Sequence, residues 1–131
     1  MSLPITSLYA ALATLLLVGL AGRVPGLRRH YRVGIGDGGQ ATLSRAMRVH
    51  GNAVENIPVA LVLLALLEIQ GGHPAGLHGA GSSLLLGRLL HAWGLSRSEG
   101  ETRARVCGMA LTWLALLGMA VWLLVLGLAG A

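Results

Sequence analysis

The chain has 131 residues, 54% of them hydrophobic and only 11% charged, with a mean hydropathy of +0.70. A soluble domain of this size needs a far more polar surface to cover its core, so the composition implies one membrane-embedded domain over residues 1–131. The formal net charge of +5 does not imply nucleic acid: the arginines flank apolar stretches without an aromatic-basic surface, and topology and anionic lipid headgroups explain most of them.

Four apolar stretches read as membrane spans. The first runs from about Ile5 to Ala21. It lacks a basic n-region and an A-x-A-like cleavage site, so Met1 to Ala21 is expected to stay as helix one rather than act as a signal peptide. Pro4 suits a first helical turn, and Arg23-Val24-Pro25-Gly26 reads as the disrupted end of the span. The glycine-rich segment from Val33 to Ser44 is expected to be a flexible loop, with Thr42 or Ser44 capping helix two.

The second span runs from about Ala53 to Ile69, the third from Leu84 to Leu95 and the fourth from Val106 to Leu128. The second and third reach the roughly 20 residues needed to cross a bilayer only with their polar shoulders included. The third is rich in Gly and Ser and holds Arg88 and His91; small residues of this kind allow close helix contact, which places it inside a bundle. Glu68, near the end of helix two, is expected to be interfacial or paired with a neighbouring helix. His73 and His78 offer two metal ligands, too few for a site, so no metal is expected. The single cysteine, Cys107, excludes an internal disulfide.

All ten basic residues are arginine. They cluster in the first loop (Arg23, Arg28, Arg29, Arg32, then Arg45 and Arg48) and the third (Arg97, Arg103, Arg105), while the N-terminal run, the second loop and the C-terminal run carry none. The positive-inside bias therefore puts loops one and three in the cytoplasm and both termini outside.

The most informative segment is the start of helix two. Charged and amide groups are costly in a membrane span and mark a functional site by default. At about 100° per residue, Arg45, Arg48, Asn52, Glu55 and Asn56 fall within an arc of roughly 100°. Arginine pairs bidentately with carboxylate, glutamate accepts from an ammonium, and asparagine can satisfy both ends of a peptide group, so a small charged peptide is a fitting ligand. The alternative is an internal network in which Glu55 neutralises Arg48 or Arg88 to let helices pack. Arg88 and His91 share a face of helix three, one turn apart; His50 points away from the site. Pro58 can kink helix two and free backbone groups.

The string Arg45-Ala-Met-Arg48-Val-His-Gly-Asn52-Ala-Val-Glu55-Asn56-Ile-Pro58 resembles the helix-two signature of the MAPEG family, the membrane-associated proteins in eicosanoid and glutathione metabolism. Gly87-Arg88-Leu-Leu-His91-Ala-Trp93-Gly94-Leu95 is similar to its helix-three segment. The resemblance implies an all-α integral membrane four-helix bundle that assembles as a homotrimer, with glutathione as co-substrate bound between neighbours near the cytoplasmic face. It implies that Arg48, Asn52 and Glu55 hold the tripeptide, with Arg45, Arg88 and His91 close by, and that Arg28 or Arg29 reaches it from an adjacent subunit. Arg97 or Arg103 could stabilise the thiolate for attack on a hydrophobic small-molecule electrophile or a lipid hydroperoxide dissolved in the membrane.

Many eicosanoid-processing members carry tyrosines where this chain has Asn56, His91 and Trp93, which points instead to a broad detoxifying, bacterial-type glutathione transferase or peroxidase in the inner membrane. The competing reading is a non-catalytic membrane protein that binds glutathione, lipid headgroups or a partner helix. A small proton-coupled exporter ranks below both, because helix one has no acidic residue.

Overall fold

A computed structural model describes residues 2–98 and 100–129. Met1, counted in the first span, and Gly130 and Ala131 at the end of the chain lie outside the described residues. The protein is an all-α integral membrane four-helix bundle: α1 Pro4–Tyr31, α2 Ala41–Ile69, α3 Pro74–Arg97 and α4 Arg103–Ala129. Among the described residues, α1, α2 and α4 are long and apolar enough to cross a membrane, and α3 is not. The Gly, Ser, Arg and His residues of α3 lower its hydropathy, and it is sheltered by contacts with all three other helices. The backbones of α1 and α4 do not approach each other closely among the described residues. They flank the α2–α3 pair and turn Leu15, Val18, Trp113, Leu117 and Leu124 outward, as lipid-facing positions require.

Helix α1 departs from the expected pattern at Pro25. The helix continues through that residue to Tyr31 instead of ending there. A proline in a helix removes one N–H and frees the carbonyl four residues back, a small loss where the position is exposed, as Pro25 is. The helix stops instead at Arg32, which takes the left-handed conformation (φ 58°) and directs its N–H at the carbonyls of Arg28 and Arg29. At roughly 1.5 Å per residue, the 28-residue helix is about 42 Å long, more than the ~30 Å hydrocarbon layer, so its arginine-rich end projects beyond the lipid tails.

The other end of α1 has no side-chain cap of its own. The Glu68 carboxylate, from the far end of α2, accepts the N–H groups of Ile5 (2.9 Å) and Thr6 (2.7 Å). A carboxylate there also meets the partial positive charge of the helix N-terminus.

Neither Thr42 nor Ser44 caps α2, because the helix has already begun at Ala41 and the N-cap position is Gln40, without a side-chain bond. The Asp37 carboxylate accepts from the Gly39 N–H (3.0 Å) and from the Ser44 hydroxyl, and these bonds, Gly39 first, hold its pKa below the usual carboxylate value.

The closest approach in the bundle joins α3 to α4. A Cβ on Gly108 would lie 2.5 Å from the His91 nitrogen and 2.6 Å from the Gly87 carbonyl oxygen, and one on Gly87 would lie 2.7 Å from Thr112 Oγ1. Glycine at both positions lets the backbones touch, the usual device for close helix packing in lipid. Two apolar cores stack along the bundle. Leu64, Leu67, Leu77, Leu84 and Met119 form one, and Ala13, Val49, Ala53, Ile57 and Leu95 form the other.

Candidate functional site

At the end where α2 begins, α3 ends and α4 begins, the chain forms a cleft of about 230 Å³. Helix α2 contributes Ser44, Arg45, Arg48 and Asn52, α3 contributes His91 and Leu95, and α4 contributes Arg105. This α2 face lies beside the buried stripe Val49–Ala53–Ile57, so packing of that stripe against its neighbours fixes the direction of the polar face. Three guanidinium groups share the cleft, and none of its described lining residues is a carboxylate. Cations converging on a partly enclosed, low-dielectric space attract an anion more strongly than they would in water.

Beneath the cleft lies Arg88, 2% exposed. Its Nη1 donates to Asn52 Oδ1 (2.5 Å) and to the Asn52 carbonyl (3.5 Å), its Nε to Thr112 Oγ1 (2.9 Å) and its Nη2 to Met109 Sδ (3.2 Å). The Thr112 hydroxyl in turn donates to the Gly108 carbonyl (2.9 Å). One arginine thus ties α3 to both α2 and α4. His91, one turn further along α3, is 4% exposed and lies on the cleft wall.

The single chain therefore brings Arg45, Arg48, Asn52 and His91 together, with Arg88 directly behind Asn52. The remaining candidates lie elsewhere. Glu55 is exposed on the outer side of α2, and Asn56 donates to the Asn52 carbonyl (2.8 Å). Arg28 donates to the carbonyls of Gly34 and Gly36 (3.0 Å each) and, with Arg29 and Arg32, lines a separate surface cleft of about 410 Å³. Arg97 sits over the Trp93 ring (4.6 Å to its centroid), and Arg103, the first residue of α4, is exposed; neither lines the cleft.

Arg105, which the sequence reading did not name as a site residue, lines the cleft. Arg105 also borders a second groove, of about 320 Å³, formed by Glu101 in the connection before α4 and by Val106, Met109, Ala110 and Trp113 of α4. One cation therefore stands between a polar cleft and an apolar groove.

Compared with known proteins, the chain matches the MAPEG family over residues 6–125. It belongs to that family. It is also similar to the inner membrane protein YecN of Escherichia coli (strain K12), with 45% identity over 115 residues that cover 88% of this chain and 86% of YecN. The YecN protein of Escherichia coli O6:H1 (strain CFT073) matches to the same extent. Membership spans the helix-two and helix-three segments that build the cleft, and it extends along α4 past Arg105 and Thr112.

Proposed function

We propose that the protein is a glutathione transferase of the bacterial inner membrane, active on hydrophobic electrophiles and, by the same thiolate, able to reduce lipid hydroperoxides. The observation that carries this reading is the convergence of Arg45, Arg48 and Arg105 with Asn52 on one cleft whose described lining holds no acid. Glutathione is a tripeptide with two carboxylates, and such a set of donors suits them. Its ammonium group needs an acceptor, and Glu55, three residues beyond Asn52 on the outer face of α2, is the carboxylate assigned to it.

An exposed Glu55 within a membrane-spanning helix is costly against lipid and calls for a protein neighbour. We assign that neighbour as a second copy in a homotrimer, whose Arg28 or Arg29 would approach the same ligand from the projecting end of α1. The arginine content of the loops flanking the cleft supports a cytoplasmic position for it under the positive-inside bias.

Bound glutathione supplies a thiol whose deprotonated form is the nucleophile. Arg105, rather than Arg97 or Arg103, is assigned the task of favouring that charged form, each tenfold gain in thiolate requiring about 1.4 kcal/mol. Because Arg105 also borders the apolar groove along Val106, Met109, Ala110 and Trp113, an electrophile entering from the bilayer would reach the activated sulfur without crossing water.

Titrating glutathione into the purified protein by calorimetry, alongside turnover of a chromogenic aryl halide, tests the proposal. The wild-type protein should bind and turn over. Arg105→Ala should keep most of the binding and lose turnover by about a hundredfold, the scale on which a removed electrostatic stabiliser acts. Binding without turnover in the wild type would leave the non-catalytic binding reading in its place, and no binding would sink both.

A further inference from the structure

We infer that Arg88 is a positioning residue that locks the Asn52 side chain as a hydrogen-bond donor toward the cleft, so that this point of the site selects an acceptor, a carboxylate or a peptide carbonyl, and rejects an ammonium. The inference rests on the reading of the cleft as a glutathione site and deepens it.

The argument turns on what arginine cannot do. A guanidinium has five donors and no acceptor, so the Asn52 atom that faces Arg88 Nη1 has to be the amide oxygen. Amide orientation is often ambiguous between oxygen and nitrogen, but a partner that only donates removes the ambiguity. With Oδ1 turned inward to Arg88, Nδ2 and its two N–H groups are left for the cleft that Asn52 lines. The orientation of Arg88 is fixed in the same one-way manner. Its Nε donates to the Thr112 hydroxyl, which donates in turn to the Gly108 carbonyl, so the hydrogen bonds run outward from Arg88 on α3 to both α4 and α2.

Arg88 is also a buried cation whose partners among the described residues are all neutral: an amide, a backbone carbonyl, a hydroxyl and a thioether. A buried charge without a counter-charge is costly and needs a reason to be kept. An anionic group held at Asn52 would supply the missing negative charge just beyond the amide. Ser44, Arg45, Arg48 and Arg105 around it contribute donors of the same polarity.

The test compares Asn52→Asp, Arg88→Lys and Arg88→Met in the full-length protein, with glutathione affinity and thermal stability measured for each. Asn52→Asp retains an acceptor for Arg88, now as an ion pair, and turns a donor into a negative charge on the cleft side. It should melt no lower than wild type while binding glutathione about ten- to a hundredfold more weakly, the range expected for a charge-assisted bond. Arg88→Lys keeps one donor for Asn52 Oδ1 and should bind within a few-fold of wild type, whereas Arg88→Met, of similar length, leaves the amide free to turn and should bind about tenfold more weakly. A purely structural Arg88 would give Lys and Met variants that bind alike at equal folded fraction.

Unchanged affinity in Asn52→Asp, or equal affinity in folded Arg88→Lys and Arg88→Met, would overturn the inference. If Arg88→Met does not fold, Asn52→Asp decides alone. Failure of the wild-type protein itself to bind glutathione would sink the reading of the site, and this inference with it.

Discussion

At the end of the bundle where α1 begins and α2 turns into α3, the Glu68 carboxylate takes two backbone N–H groups, and the Tyr9 hydroxyl lies 3.0 Å from the His78 carbonyl, 3.1 Å from His78 Nδ1 and 2.8 Å from Ser82 Oγ. These groups find their partners within the fold and join α1 to α2 and α3. At the opposite end, Arg45, Arg48 and Arg105 surround a cleft, and the buried Arg88 behind them has neutral partners among the described residues. Both ends bring polar groups into a setting where each unsatisfied one is expensive. Where polar groups meet partners of the fold, the cluster serves folding. Where cationic donors outnumber acceptors around a cavity, the proposed anionic ligand would supply the balance.

The comparison predicts that removing a cation from the open end affects binding more than stability. Arg48 is exposed and lines the cleft, so Arg48→Ala removes no buried packing. Glutathione affinity should fall by about 2–3 kcal/mol, the worth of a charge-assisted bond to a carboxylate, with the melting temperature unchanged. Calorimetric titration together with a thermal melt reads both quantities. An unchanged affinity would mean that the cleft's positive charge serves the protein alone.

How much of this site was legible before folding depends on which helix is considered. The α2 face could be read directly, because Arg45, Arg48 and Asn52 share one face under the helical period whatever the tertiary structure. Arg88 was visible as a costly group in a span, but its partner was not. The internal-network alternative offered Glu55 as a neutraliser of Arg48 or Arg88, and the packing instead presents Asn52, Thr112 and Met109 to Arg88.

The sequence offered Arg97 or Arg103 and left Arg105 out, because the phase of α4, which decides whether Arg103 or Arg105 turns toward the cleft, could not be read from the cluster itself. Arg103 and Arg105 are about 200° apart around the helix, so they face different surroundings. A signal existed further along: Gly108, Thr112, Ala115 and Met119 are buried at helical spacing, and the same stripe extended back one turn reaches Arg105. The small and hydroxylated residues in an otherwise bulky span marked that stripe. Pro25 misled for the converse reason. A proline stops a helix most firmly where its freed carbonyl is buried, and here the site is exposed.

Changes at the closed end should have the reverse profile. Glu68→Ala removes the carboxylate that caps the start of α1, which has no side-chain cap of its own. A loss of about 1 kcal/mol in stability follows from the usual value of a helix cap, aided by the helix dipole. Glutathione affinity should not change, because Glu68 and the cleft lie at opposite ends of α2. A variant that melted like wild type but bound glutathione more weakly would couple the two ends and break the contrast between them.

Tyr9→Phe is the finest test of the same contrast. The ring is 6% exposed and packs against Gly81, where any Cβ would overlap it, and phenylalanine keeps that packing intact. Only the hydroxyl is lost. Its partners, the His78 carbonyl and Ser82 Oγ, belong to α3, and the helical carbonyl retains its backbone role, so the deficit is one net hydrogen bond of about 0.5–1.5 kcal/mol. A thermal melt should show that small decrease, while glutathione binding stays at the wild-type value. If stability did not fall, the Tyr9 hydroxyl would be dispensable to the fold, and the closed end would itself become a candidate for an undiscovered ligand.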